Sequence, residues 1–128
     1  MADAVTSQTL VDGRRNAVIK LTNVSDGTGE SAVLKVDVSG LSGSPAAVRI
    51  DRIEFTTRTM GVNLLWDATT PVQIINLPPN FSEELDFCKS GGLVNTKATG
   101  WTGDIKLTTV GHASGAAYTI VLHLVKKY

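Results

Sequence analysis

The chain has 128 residues, and its 12 lysines and arginines balance 12 aspartates and glutamates, so its formal net charge is zero. That length is typical of one domain able to bury its own core without a metal or disulfide. The balanced charge predicts no nucleic-acid partner, and no apolar run approaches the roughly 20 residues that cross a bilayer, so no membrane partner is expected. Cys88 is the single cysteine, which excludes an internal disulfide, and the N-terminus resembles no secretory signal. We therefore expect a protein made in the cytoplasm.

The N-terminal third of the chain favours β-strands. Residues 5–11 suit either a first strand of the fold or an extended arm that pairs with a neighbouring subunit. Asn16–Val24 alternates apolar and polar side chains, and so does Ala32–Ser39. The glycine-rich, polar segment between these two runs predicts that they form a hairpin.

The middle of the chain continues the pattern of short strands. Between Ala47 and Thr57 the apolar positions change from even to odd numbers. Because a slip of one residue exchanges the two faces of a strand, this change predicts a β-bulge near Asp51 and Arg52. Trp66 is in phase with the apolar positions of the next strand, so we expect it in the core.

The C-terminal strand is apolar on both faces. One row contains Tyr118 and its even-numbered neighbours, and the other row contains Val121 and Val125. A strand of this kind is expected to be covered on both sides, by its own fold or by a second subunit. The preceding run begins at Ile105, and the turn Gly111–Gly115 predicts that the two runs form the final hairpin.

These features predict an all-β protein. We expect one antiparallel β-sandwich over residues 1–128, jelly-roll-like, with eight or nine strands, in which residues 1–11 are the possible extended arm. The candidate residues for contact with other subunits are apolar positions on the first and last strands. They are Val5, Leu10, Val11, Val121 and Val125.

Residues with reactive side chains match no recurring catalytic, cofactor or metal pattern. His112 and His123 are the two histidines, and their spacing from Cys88 fits no metal or nucleophile motif. We expect ordinary surface or packed histidines and a buried, unreactive cysteine. The sequence therefore predicts no catalytic residue, no cofactor, no metal and no enzymatic activity.

Three features leave alternatives open. Asp26–Glu30 has oxygen ligands for calcium, although Asp-Gly is also common in hairpin turns. Glu83, Glu84 and Asp86 form a local acidic cluster, but neighbours on one strand alternate faces, which favours a solvated surface over a paired-carboxylate hydrolase. Trp101 falls between two glycine-containing turns, where an exposed indole ring would suit a glycan-binding module.

Several stretches across the chain carry a resemblance to a known group. They are Ala4–Thr9 with Asp12–Ala17, Leu21–Ser31, Leu65–Ala68 and Thr102–Gly115. In amino-acid sequence these stretches resemble small virion structural proteins of tailed bacteriophages, particularly phages of aquatic bacteria.

The resemblance implies a non-enzymatic particle component. The favoured role is a capsid decoration or cement protein, a homotrimer that binds the major capsid protein on the outer capsid surface of the virion. The alternatives are a tail or head–tail component, and a glycan-binding adhesion module. No individual residue is assigned a role by this resemblance.

Overall fold

Nine β-strands and one short 3-10 turn form the regular structure of the residues that the computed structural model describes. These residues are 4–27, 30–43, 45–87, 91–94, 99–111 and 113–127. The strands are β1 (Ala4–Asp12), β2 (Asn16–Asp26), β3 (Val33–Val36), β4 (Ala47–Arg58), β5 (Gly61–Trp66), β6 (Val72–Leu77), β7 (Ser82–Asp86), β8 (Ile105–Val110) and β9 (Ser114–Lys127), and the 3-10 turn is Val38–Gly40. The described part of the chain contains no helix with the length and hydropathy that a membrane crossing requires.

The strands form two antiparallel sheets. The larger sheet has the order β1-β2-β9-β4-β7, and the smaller has the order β3-β8-β5-β6. From β2 onward every link between consecutive strands crosses from one sheet to the other, except the link β5–β6 within the smaller sheet, and this is the strand order of a jelly roll. The predicted all-β sandwich of jelly-roll type is therefore confirmed.

The two sheets are unequal, and this leaves one strand overhanging. When two sheets of this strand order stack as a jelly roll, β3 lies opposite β2, β8 opposite β9, β5 opposite β4 and β6 opposite β7. Strand β1 is the fifth strand of the larger sheet and has no counterpart in the smaller one. All its described side chains, from Val5 to Asp12, are exposed.

The core lies between the four facing pairs of strands. Ile120 and Leu122 of β9 are fully buried, as are Leu64 of β5 and Ile53 of β4. Trp66 is 3% exposed and belongs to the same apolar cluster, so its predicted core position is confirmed. Burial of such side chains is the main favourable term in folding.

The predicted β-bulge is also confirmed. The register between β4 and β9 shifts between Ile50 and Arg52. As a result, Ile50 before the bulge and Ile53 after it are both fully buried, although one is even and the other odd. The bulge keeps an apolar row on the core side along a strand of 12 residues.

Both predicted hairpins are wrong. Strand β2 pairs with β1 and β9, whereas β3 pairs with β8 in the other sheet. Strand β8 pairs with β5 and β3, whereas β9 pairs with β2 and β4. In both cases the turn residues carry the chain across the sandwich, so each strand lies in the opposite sheet from its chain neighbour, and no β-ladder joins the described residues of the two strands.

Strand β9 is apolar on both faces because it is central. Its inner row, which includes Tyr118, is buried, and its outer residues Val121 and His123 are half-buried on the outer face of the larger sheet. Register places Lys20 of β2 and Glu54 of β4 on either side of Val121. Long neighbouring side chains can shield a valine in this way without a covering subunit.

We predict that Trp66→Ala lowers the free energy of unfolding by about 3–5 kcal/mol, since it removes a buried aromatic side chain and leaves a cavity. Trp101→Ala is the matched control, because Trp101 is 36% exposed. Chemical denaturation followed by circular dichroism measures both. Equal losses for the two variants would contradict the packing described here.

Candidate interaction surfaces

A row of hydroxyl side chains crosses all five strands of the larger sheet on its outer face. Register places Thr6 opposite Thr22, Thr22 opposite Thr119, Thr119 opposite Thr56, and Thr56 opposite Ser82. The hydroxyls of Thr6 and Thr22 are hydrogen-bonded, and those of Thr56 and Ser82 are 3.0 Å apart. With strands about 4.8 Å apart, this hydroxyl row spans roughly 19 Å.

A charged cluster lies beside the hydroxyl row. His123 Nε2 is 2.9 Å from Glu54 Oε1, and Arg52 Nη2 is 3.3 Å from the same oxygen. Arg52 Nη1 is also 3.6 Å from Glu84 Oε1. These groups are partly exposed, so each ion pair contributes at most about 1 kcal/mol to stability. The cluster presents both signs of charge on one surface.

Two open depressions lie on this same outer face. One, of about 270 Å³, is lined by residues that include Arg52, Asp86 and His123. The other, of about 390 Å³, is lined by residues that include Thr56 and Glu84. With the hydroxyl row, they make a polar surface with shallow relief, which can form hydrogen bonds and ion pairs with a partner.

The acidic cluster of β7 is divided between two faces, as its sequence predicts. Glu84 stands opposite Glu54 on the outer face, whereas Glu83 stands opposite Phe55, whose side chain is buried on the other face. Both glutamates are exposed. This arrangement is that of a solvated edge strand.

Of the five candidate contact residues, three are exposed and all three lie on β1. Val5 is 44% exposed, and Leu10 and Val11 are each 48% exposed. Val121 is half-buried on the outer face, and Val125 is 6% exposed and packs within its own subunit. The exposed candidates therefore mark the edge of the larger sheet. Residues 4–12, proposed from sequence as an arm or a first strand, pair with β2 of their own chain.

A buried lysine fixes the C-terminal end of β1. The side chain of Lys126 has no exposed surface, and its ammonium group donates hydrogen bonds to the Asp12 carboxylate, the Gly13 carbonyl and the Ser42 carbonyl. The Asp12 carboxylate also accepts from the Ser42 amide. Hydrogen bonds from Lys126 and then from Ser42 lower the pKa of Asp12 below its ordinary value of 3.8.

The segment considered for calcium ends in an internal polar network. Glu30 is buried, and its carboxylate is 2.5 Å from Lys35 Nζ, while it accepts hydrogen bonds from Asn23 at 2.6 Å and Tyr118 at 2.7 Å. Glu30 therefore joins three strands and balances a buried charge. Residues 28–29 and the side chain of Asp26 lie outside the described residues.

The region around Trp101 is exposed and polar. The Thr102 hydroxyl donates to Asp67 at 2.7 Å, and Lys106 Nζ is 3.0 Å from the same carboxylate. These contacts lower the pKa of Asp67, whereas burial raises the pKa of the nearby Asp104. Trp101 directly precedes Thr102 in the chain and is 36% exposed, and the glycan-binding alternative requires an exposed indole ring.

The described residues contain no candidate metal centre. Among the described residues, no group of three or more histidines, cysteines, aspartates or glutamates could hold a metal ion. Cys88 and His112 lie outside the described residues. Sequence reasoning missed the partners of His123 and the burial of Lys126, because both depend on which strands are neighbours and in which register.

Comparison with known proteins gives distant structural likenesses. No family model matches the chain, and no curated protein matches it. A cupin superfamily protein from Desulfitobacterium hafniense DCB-2 is 10% identical, with a TM-score of 0.38, over 100% of this chain and 82% of that one. A cupin domain from Bordetella pertussis Tohama I is 12% identical, with a TM-score of 0.40, over 100% and 98%. The fold assignment rests on the strand order described above.

We predict that the stability contributed by Asp12 depends on pH. Because its pKa is lower in the folded state, this contribution is complete above the ordinary value of 3.8 and disappears as the pH falls through the folded-state pKa. Asp12→Asn should therefore be less stable than the parent protein at pH 6, and the difference should shrink below about pH 3.8.

Urea unfolding at a series of pH values measures this difference. Glu83→Gln, which removes an exposed carboxylate on β7, is the control for the loss of one negative charge. A difference between Asp12→Asn and the parent that stays constant down to pH 2 would show that the ionised carboxylate of Asp12 is not the source of this stability.

Proposed function

We propose that this chain is a structural protein of a tailed-bacteriophage virion. Its role is capsid decoration: it binds the major capsid protein on the outer surface of the shell and stabilises the shell without enzymatic activity. The support from sequence is the resemblance of stretches between Ala4 and Gly115 to small virion proteins of such phages. On this proposal, the protein is made in the host cytoplasm and then assembles on the particle as a homo-oligomer.

The observation that carries the proposal is that the interior of the sandwich is filled, whereas the outer face of the larger sheet is an extended polar surface. The space between the sheets is occupied by one apolar cluster, and the depressions described above lie on the outside. The hydroxyl row and the charged cluster lie side by side across the larger sheet. Such a surface suits contact with another protein over an area, where interfaces are mixed in polarity and hydrogen-bonded.

The jelly roll is consistent with this role and with others. Viral capsid domains, lectins and cupins all use the architecture, so the fold does not determine the function. A decoration protein needs only modest affinity at each contact, because an oligomer that engages several capsid subunits at once gains avidity. We propose that the outer face of the larger sheet is the surface that contacts the capsid.

Imaging of purified virions by cryo-electron microscopy tests the location. We expect the protein in the particles, with a β-sandwich density at a regular position on the outer capsid. Density on the tail or neck would favour the tail or head–tail role instead. Absence of the protein from purified particles would overturn the virion assignment.

We predict that Thr56→Arg weakens binding to capsids at least about tenfold, because a bulky charge in the hydroxyl row prevents close approach of the two surfaces. Gln73→Arg is the matched control, since Gln73 is exposed on β6 of the smaller sheet. Sedimentation with capsids that lack the protein measures both variants. Equal binding by the two variants would mean that another surface contacts the capsid.

A glycan-binding adhesion role is the second candidate, and the exposure of Trp101 favours it. An indole ring can stack on a sugar, and the next residue in the chain, Thr102, belongs to a polar group with Asp67 and Lys106. If this role holds, host-surface oligosaccharides should change the tryptophan fluorescence, and Trp101→Ala should abolish the change. A response retained by Trp101→Ala, or none in the parent protein, would exclude this site.

A further inference from the structure

Three of the four sheet edges carry features that discourage pairing with another strand. Strand β3 has only four residues. Strand β6 lies between Pro71 and Pro78, and β7 carries Glu83, Glu84 and Asp86 among its five residues. Short edges, flanking prolines and charges are the usual protection against edge-to-edge association.

Strand β1 is the unprotected edge. It has nine residues, with no charged residue or proline from Ala4 to Val11. A register shift between Thr9 and Val11 interrupts the ladder near its end, so the regular part is Ala4–Thr9. Its outward backbone groups are available for main-chain hydrogen bonds along six residues.

The inner side of this edge is also uncovered. Val5, Ser7 and Thr9 are register partners of buried β2 residues, which places them on the core side of the sheet. They are nevertheless exposed, because β1 overhangs the smaller sheet. Val33, on the edge strand β3 that faces β2, is 38% exposed. The overhang therefore combines the open edge of a strand with the partly exposed apolar side chains of Val5 and Val33.

We propose that β1 pairs with β1 of a second copy of this chain. The two strands run antiparallel about a two-fold axis perpendicular to the sheet, and the two larger sheets become one continuous sheet. Two properties of β1 favour a second copy as the partner. The strand is uncharged from Ala4 to Val11, so two copies meet without like-charge repulsion. An antiparallel pair of identical strands is also self-complementary about a two-fold axis. The charged β7 edge offers no such match.

The symmetry restricts the register. Residues directly opposite each other in an antiparallel pair share a face, so the two-fold axis must pass midway between the two copies of one residue, which then stands opposite its own copy. Within Ala4–Thr9, Ser7 and Thr6 are the central choices. With Ser7 on the axis, Val5 stands opposite Thr9 of the partner copy, and all inner-face residues stay on the inner side.

This inference does not rest on the capsid role, since the pairing can be tested with purified protein alone. A two-fold contact predicts a dimer in solution, whereas the resemblance to phage proteins implies a trimer. The mass in solution separates the two.

Disulfide trapping tests the contact directly. In a Cys88→Ser background, Ser7→Cys or Thr6→Cys should give a covalent dimer on mild oxidation, because opposite Cα atoms in an antiparallel pair are about 4.5–5.5 Å apart, within disulfide range. Gln73→Cys, exposed on β6, is the control and should form no covalent dimer under the same conditions. Absence of a covalent dimer at both positions 6 and 7 would overturn the proposal.

A second, non-covalent test uses charge. Ser7→Lys places two ammonium groups near the axis and should raise the dissociation constant of the dimer at least about tenfold. Gln73→Lys adds the same charge on β6 and should leave the dimer unchanged. Sedimentation equilibrium measures both variants, and circular dichroism confirms that each is folded.

Three outcomes would overturn the pairing with a second copy: a monomeric parent protein, a trimer, or a dimer that Ser7→Lys leaves intact. A monomeric parent whose Ser7→Lys variant loses capsid binding would assign the β1 edge to the capsid protein instead.

Discussion

The structure depends on stacking four strands of one sheet against four strands of the other. Each inner face is apolar and has to be covered, and the jelly-roll crossings place every strand of the smaller sheet opposite its chain neighbour. The β4 bulge keeps Ile50 and Ile53 on the same buried side of the stack. Because the larger sheet has a fifth strand, the same constraint that closes the core leaves β1 outside it. The exposed apolar residues of β1 follow from this mismatch in strand number.

Two buried charges secure the ends of this stack. Lys126 connects the end of β1 to the loop after the 3-10 turn, and Glu30 connects the β2–β3 crossing to β9. Each charge is matched by an opposite charge and by hydrogen bonds, as a buried ion requires. The overhanging strand is thus held firmly at Asp12, although most of its length contacts only β2. This gives β1 a defined edge on which a second chain can pair.

Alternation of side chains predicted the strands, because one buried face imposes a period of two, and the change of phase near Asp51 predicted the bulge. Pairing could not be predicted in the same way. The turns after β2 and β8 have the composition of hairpin loops whether the chain pairs with the next strand or crosses the sandwich. The contacts of His123 with Glu54 and Arg52 depend on register between strands far apart in sequence. Likewise, alternation places Val5 on the inner face of the sheet, but its exposure can be predicted only when the number of strands in each sheet is known.

Hydrogen exchange of the β1 amides as a function of protein concentration tests the central claim most directly. If β1 is an open edge that pairs with a second copy, its outward amides exchange freely in dilute solution and become protected as the concentration rises. The central strand β9, hydrogen-bonded to β2 and β4 within the subunit, should be protected throughout. Protection of β1 that does not change with concentration would contradict the account.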